Sequence, residues 1–129
     1  MTSSGPGFQA AVRAAHGRIA KDIVRTPVEF SAVLSEVVGA RVFLKWESDQ
    51  VTGSFKFRGA LNKLRALGPE DRARGVVSAS TGNHGLAMAR AAAIEGVALK
   101  LFLPETVAEV KKKRIEATGV ALEYFGSDC

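Results

Sequence analysis

Gly75-Val76-Val77-Ser78-Ala79-Ser80-Thr81-Gly82-Asn83-His84-Gly85 sets the fold of the chain. Its first five residues are a short apolar run bounded by glycine, which reads as a short strand. Ser80-Thr81-Gly82 reads as a turn, and a helix is expected over 83–95, closed by Gly96. Val97-Ala98-Leu99-Lys100-Leu101-Phe102-Leu103 is the next strand, stopped by Pro104. A helix over 106–117 ends at Gly119, and Val120 to Phe125 forms a last strand. Strand, helix, strand, helix, strand with short glycine-marked turns is the pattern of an open parallel sheet with crossover helices, an α/β fold.

Upstream, Phe8 to Ala20 carries apolar residues at helical spacing, after a small, polar lead over 1–7 expected to be disordered. Ile23 to Val28 reads as extended, because Pro27 biases its predecessor away from helix. Ser31 is placed to cap a short helix over 32–38 ended by Gly39, and Val42 to Glu47 reads as a strand. A helix over 55–67, closed by Gly68-Pro69, precedes the opening strand.

Composition narrows the function. The 129 residues are 47% hydrophobic and 24% charged, which suits one globular core. No apolar run is long enough to span a membrane, and the first residues lack the regions of a signal peptide, so a cytoplasmic location is expected. The single cysteine, Cys129, cannot pair within the chain, and His16 and His84 offer no metal-ligand spacing, so no metal is expected. The net charge of +5 raises nucleic acid as a partner. The basic residues are scattered, however, and the one run, Lys111 to Arg114, is flanked by Glu109 and Glu116 and reads as a solvated helix face. Neither nucleic acid nor membrane is expected as a partner.

In an open parallel sheet, ligands gather beyond the carboxyl ends of the strands, where helices begin. Two loops fit that description. The loop 80–85 follows the strand ending at Ala79; its glycines permit close backbone approach, and its helix start favours an anion. The loop 48–56 follows the strand ending at Glu47 and delivers Thr52-Gly53-Ser54-Phe55-Lys56-Phe57-Arg58-Gly59-Ala60. Ser54 reads as the helix N-cap. Lys56 then sits in the first turn between two phenylalanines. The helix dipole and the aromatic neighbours should both disfavour its ammonium, leaving an amine able to attack a carbonyl carbon.

The stretch Ser54 to Ala60 closely resembles the cofactor-lysine motif of the fold-type II pyridoxal-phosphate enzymes. Ser80-Thr81-Gly82-Asn83-His84-Gly85 resembles their second motif, in the right order and at the right distance. The likeness is strongest to the serine/threonine dehydratase, or ammonia-lyase, branch. It implies that Lys56 holds pyridoxal 5'-phosphate as an internal Schiff base, with Phe55 near the ring and Asn83 hydrogen-bonded to the phenolic oxygen. Ser80, Thr81, Gly82 and His84 would bind the substrate carboxylate. Lys56, displaced by the substrate amine, would take the Cα proton. Loss of the β-hydroxyl from serine or threonine would then give an aminoacrylate, which hydrolyses to a 2-oxo acid and ammonia.

His84 follows the Asn-His form of dehydratases, where the sulfhydrylase branch usually has threonine. Thr81 departs from both the serine of related racemases and the alanine of many threonine dehydratases. The resemblance leaves racemase activity as the alternative. It also implies a division into an N-terminal segment of the large domain over 8–49 and a small α/β domain over 50–129. The family's glycine-rich phosphate loop has no counterpart here, since no run of consecutive glycines occurs. The resemblance thus covers the N-terminal portion of a longer enzyme, for which a homo-oligomer is the expected assembly, and a catalytically incomplete piece is the other reading.

Overall fold

The computed structural model describes residues 6–80 and 82–127. Among these residues, helices run over Pro6–Ile19 (α1), Ala32–Val38 (α2), Lys56–Arg65 (α3), Pro69–Arg74 (α4), Asn83–Glu95 (α5) and Glu109–Glu116 (α6). Five strands run over Val28–Phe30 (β1), Phe43–Lys45 (β2), Val76–Ala79 (β3), Leu99–Leu103 (β4) and Ala121–Tyr124 (β5). Among the described residues one 3-10 turn occurs, over Glu47–Asp49.

The predicted parallel sheet is present, with three strands in the order β3-β4-β5. Its register pairs Ser78 with Leu101 and Leu101 with Leu122. Along β4 the residues alternate: Leu99, Leu101 and Leu103 are buried and Lys100 is exposed, the two-residue period of a strand with one covered face. The covering element is α5. It lies between the sheet and α3, so it is apolar nearly all round, with Ala87, Met88, Ala89, Ala91 and Ala92 buried. Its small side chains let α3 approach closely. That helix returns Phe57, Ala60, Leu61 and Leu64, one stripe at helical spacing, all buried.

Three features differ from the sequence reading. The strand ahead of the lysine loop, β2, is not part of the parallel sheet; it pairs antiparallel with β1, Phe30 facing Phe43. The loop 48–56 therefore does not leave the carboxyl end of a parallel-sheet strand. Pro69 opens a helix, α4, and α3 ends before it at Arg65, because proline at the first helical position loses no hydrogen bond and Glu70 and Asp71 suit the positive helix end. The first helix begins at Pro6, so Pro6 and Gly7 are helical; the remainder of the expected disordered lead lies outside the described residues. Helix α2 keeps its predicted ends: Leu34 donates its backbone N–H to Ser31 Oγ at 3.3 Å, and Gly39 closes it at φ 67°.

Candidate functional site

Lys56 is the first residue of α3. The residue at its N-cap is Phe55 rather than Ser54, and Phe55 has helical φ and ψ of −61° and −17° with no side-chain cap. Ser54 is buried, and its hydroxyl has no hydrogen-bond partner; Thr52 Oγ1 is buried and unpartnered too. Two orphan hydroxyls on one loop are costly unless something meets them. The turn that carries them is set by Gly53 at φ 72°, its N–H bonded to Gln50 O at 2.7 Å.

The two phenylalanines do not enclose the lysine. Phe57 is fully buried in the α3–α5 core, whereas Phe55 is 60% exposed. Lys56 is exposed, with its Nζ 5.1 Å from the centre of the Phe55 ring, within cation–π range. Among the described residues it has no hydrogen bond or ion pair.

Behind it lies a feature the sequence reading missed. Arg58 makes a two-point ion pair with Glu47: Nε donates to Oε2 at 2.8 Å and Nη2 to Oε1 at 2.7 Å. Thr26, buried, donates its hydroxyl to the same Oε1 at 2.6 Å. Arg58 also donates to Val24 O at 3.0 Å, and buried Gln50 bonds both the N–H and the C=O of Val24. The Arg58 hydrogen bond chiefly holds the Glu47 carboxyl down at about 2. Glu47 in return raises the Arg58 guanidinium. The only available signal was an acid before the motif and an arginine within it, with no indication that they meet.

The second loop is built from the end of β3. Ser80 N–H donates to Phe102 O at 3.2 Å, continuing the ladder, and Ser80 Oγ accepts from Gly82 N at 3.3 Å. Gly82 is the N-cap of α5. Asn83 is exposed and His84 half-buried in the first turn, and Thr81 lies outside the described residues. Gly85 is obligatory for space: a Cβ there would stand 2.9 Å from Ser80 O. Gly82, Asn83 and Leu86 share a cavity of about 60 Å³ with Lys111, Arg114 and Ile115 of α6. Two members of the basic run read as solvated thus stand beside the α5 start.

Packing of α3 on α5 joins the two loops. No hydrogen bond or ion pair among the described residues links Lys56 to Ser80, Gly82, Asn83 or His84. Nor does any group of three metal-binding side chains occur among them.

A free amine at a helix start, orphan hydroxyls just before it and a second helix start packed alongside would suit a carbonyl-bearing anionic cofactor. A family model described as pyridoxal-phosphate dependent enzyme matches residues 19–129. The chain belongs to this family. Among similar proteins, serine racemase of Bos taurus is 44% identical over 118 residues, 89% of this chain and 35% of its own. L-threonine ammonia-lyase of Thermotoga maritima is 45% identical over 109 residues, 82% of this chain and 27% of its own. The solved structure of maize serine racemase superposes with a TM-score of 0.83 at 34% identity, covering 92% of this chain and 36% of that one. The chain therefore spans about a third of the length of the curated relatives it matches. Membership of the pyridoxal-phosphate-dependent enzymes brings the expected α/β fold and cofactor with it. The unpaired Lys56 amine and the open space beside Gly82, where an added Cβ would meet nothing within 4 Å, fit that cofactor.

Proposed function

We propose that the enzyme to which this chain contributes eliminates water from serine or threonine to give an enamine, which takes up water and hydrolyses to a 2-oxo acid and ammonia. The carrying observation is Lys56: an unpaired amine at the start of a helix whose next residue is locked in the core. In this reading Lys56 holds pyridoxal phosphate and moves the proton at the substrate Cα. The bound cofactor supplies an electron sink for the charge left on that carbon. Phe55 packs beside the ring, and Asn83 hydrogen-bonds the phenolic oxygen. Ser80, Thr81, Gly82 and His84 hold the substrate carboxylate at the α5 N-terminus, where backbone N–H groups favour an anion.

A racemase of serine is the second reading, favoured by the 44% identity to a serine racemase and by the hydroxyl that Thr81 retains. Activity of the 129 residues alone is a separate matter: a catalytically incomplete piece would leave these residues in place with no turnover.

The same proposal assigns residues 8–49 to a larger domain and 50–129 to a smaller one. Support comes from the antiparallel β1–β2 pair standing apart from the parallel sheet, with Phe30, Val33, Val37 and Phe43 exposed around it. A cytoplasmic homo-oligomer is the proposed setting. No helix among the described residues is long and apolar enough to cross a membrane.

The test is to add pyridoxal phosphate to the chain and to its Lys56→Ala variant. A saturable absorption band of lysine-bound cofactor, absent from the variant, is expected. Serine or threonine should then yield 2-oxo acid in the complete enzyme; equal bands in the two proteins would overturn the reading.

A further inference from the structure

We infer that Arg58, Glu47 and Thr26 are positioning residues for Lys56, a brace that fixes the direction in which its amine leaves α3. The inference rests on the reading of Lys56 as the cofactor-holding residue. Successive residues on a helix turn by about 100°, so Lys56 and Arg58 project from nearly opposite sides and Phe57 lies between them. Each of the other two directions is occupied. Phe57 is fully buried against α5. Arg58 is held at two points by Glu47 and at a third by Val24 O. With two of three directions pinned, the first turn of α3 cannot roll, and Lys56 is left facing outward.

The brace also fixes the loop before Lys56. Glu47 is where that loop starts, and Thr26 ties its carboxylate to the segment ahead of β1. Trp46 N–H bonds to Pro27 O at 3.1 Å, and Gln50 clasps Val24, so residues 46–50 are latched along 24–27. The loop 47–55 thus has both ends on one ion pair. The side chains of Glu47 and Arg58 are 18% and 25% exposed, so water screens the pair only in part. The planar guanidinium matches the carboxylate at two points, which a lysine cannot do.

The experiment uses the full chain, pyridoxal 5'-phosphate as probe, borohydride reduction and peptide mass analysis. Lys63, exposed on the same helix, is the internal reference. Wild-type protein should trap cofactor on Lys56 in excess of Lys63, with visible circular dichroism from the held ring. If Lys56 shows no excess, the assignment of Lys56 itself fails. Given that excess, Arg58→Lys and Glu47→Gln should each lower the Lys56-to-Lys63 ratio at least fivefold and weaken the visible dichroism. General loosening would alter both lysines together, and far-ultraviolet dichroism checks the fold. Thr26→Val, which removes one contact to Glu47 and keeps the volume, should lower the ratio about twofold; it decides the matter should the ion-pair variants fail to fold. An unchanged ratio and dichroism in the folded variants would overturn the brace.

Discussion

Glycine and acid residues carry the sharpest consequences at the smallest scale. Gly85→Ala would force a Cβ to within 2.9 Å of Ser80 O, a backbone atom that cannot swing aside. A loss of about 1–3 kcal/mol in urea unfolding is expected, as for overpacking elsewhere. Gly59→Ala is the contrasting case: it lies within α3 with nothing near its added Cβ, so a gain of about 0.5–1 kcal/mol is expected in the same measurement. Glu47 predicts an acid limb. Its folded carboxyl sits at about 2 against an ordinary 4.5, so between those values the unfolded chain binds more protons. Its contribution to stability is therefore complete above about 4.5 and is lost as pH falls toward 2. Thermal midpoints measured across that window should fall less steeply in Glu47→Gln than in the wild type. Lys56 shows where residue-level reading reached its limit. The motif was legible, but flanking phenylalanines in sequence do not say which one faces the core, and only Phe57 does.

Among the elements, α3 and α5 form the framework on which both loops stand. Leu61 is fully buried between them, and Leu61→Ala should cost about 2–5 kcal/mol in denaturant unfolding. A second tie lies at the far end: Arg65 of α3 pairs with Glu95 of α5 at 2.8 Å and with Asp22 at 2.7 Å, and Arg72 joins Glu95 at 3.1 Å. Elements with local signals were readable from sequence. Helix α2 had its serine cap and left-handed glycine, and α5 had Gly82 and Gly96 at its ends. What escaped was non-local or ambiguous. The pairing of β1 with β2 joins two three-residue strands, too short for the apolar pattern of Val28-Glu29-Phe30 to name a partner, and all their residues are exposed except half-buried Leu44. At Gly68-Pro69 the dipeptide read as a helix stop opens α4, α3 having ended at Arg65, and the stop signal masked the start.

Taken whole, the molecule is unevenly covered. The α3–α5–β4 centre is closed, while the β1–β2 pair and α2 expose Phe30 at 54%, Val33 at 73% and Val37 at 77%. Exposed apolar side chains of this kind bind hydrophobic probes. Binding of a hydrophobic fluorescent dye should fall by about half in a Phe30→Ser, Val37→Ser double variant, with the unfolding midpoint nearly unchanged because neither side chain is buried. The sheet has a different consequence, one of timing. Its spatial order β3-β4-β5 is also its order along the chain, so each strand emerging from the ribosome finds its neighbour already made. Lys56 precedes all three strands, yet the face that seats its helix is buried by α5. The lysine is thus synthesised early and held in place late: in the role proposed for Lys56, loading of cofactor on a nascent chain waits until residues 83–95 have left the exit tunnel and docked.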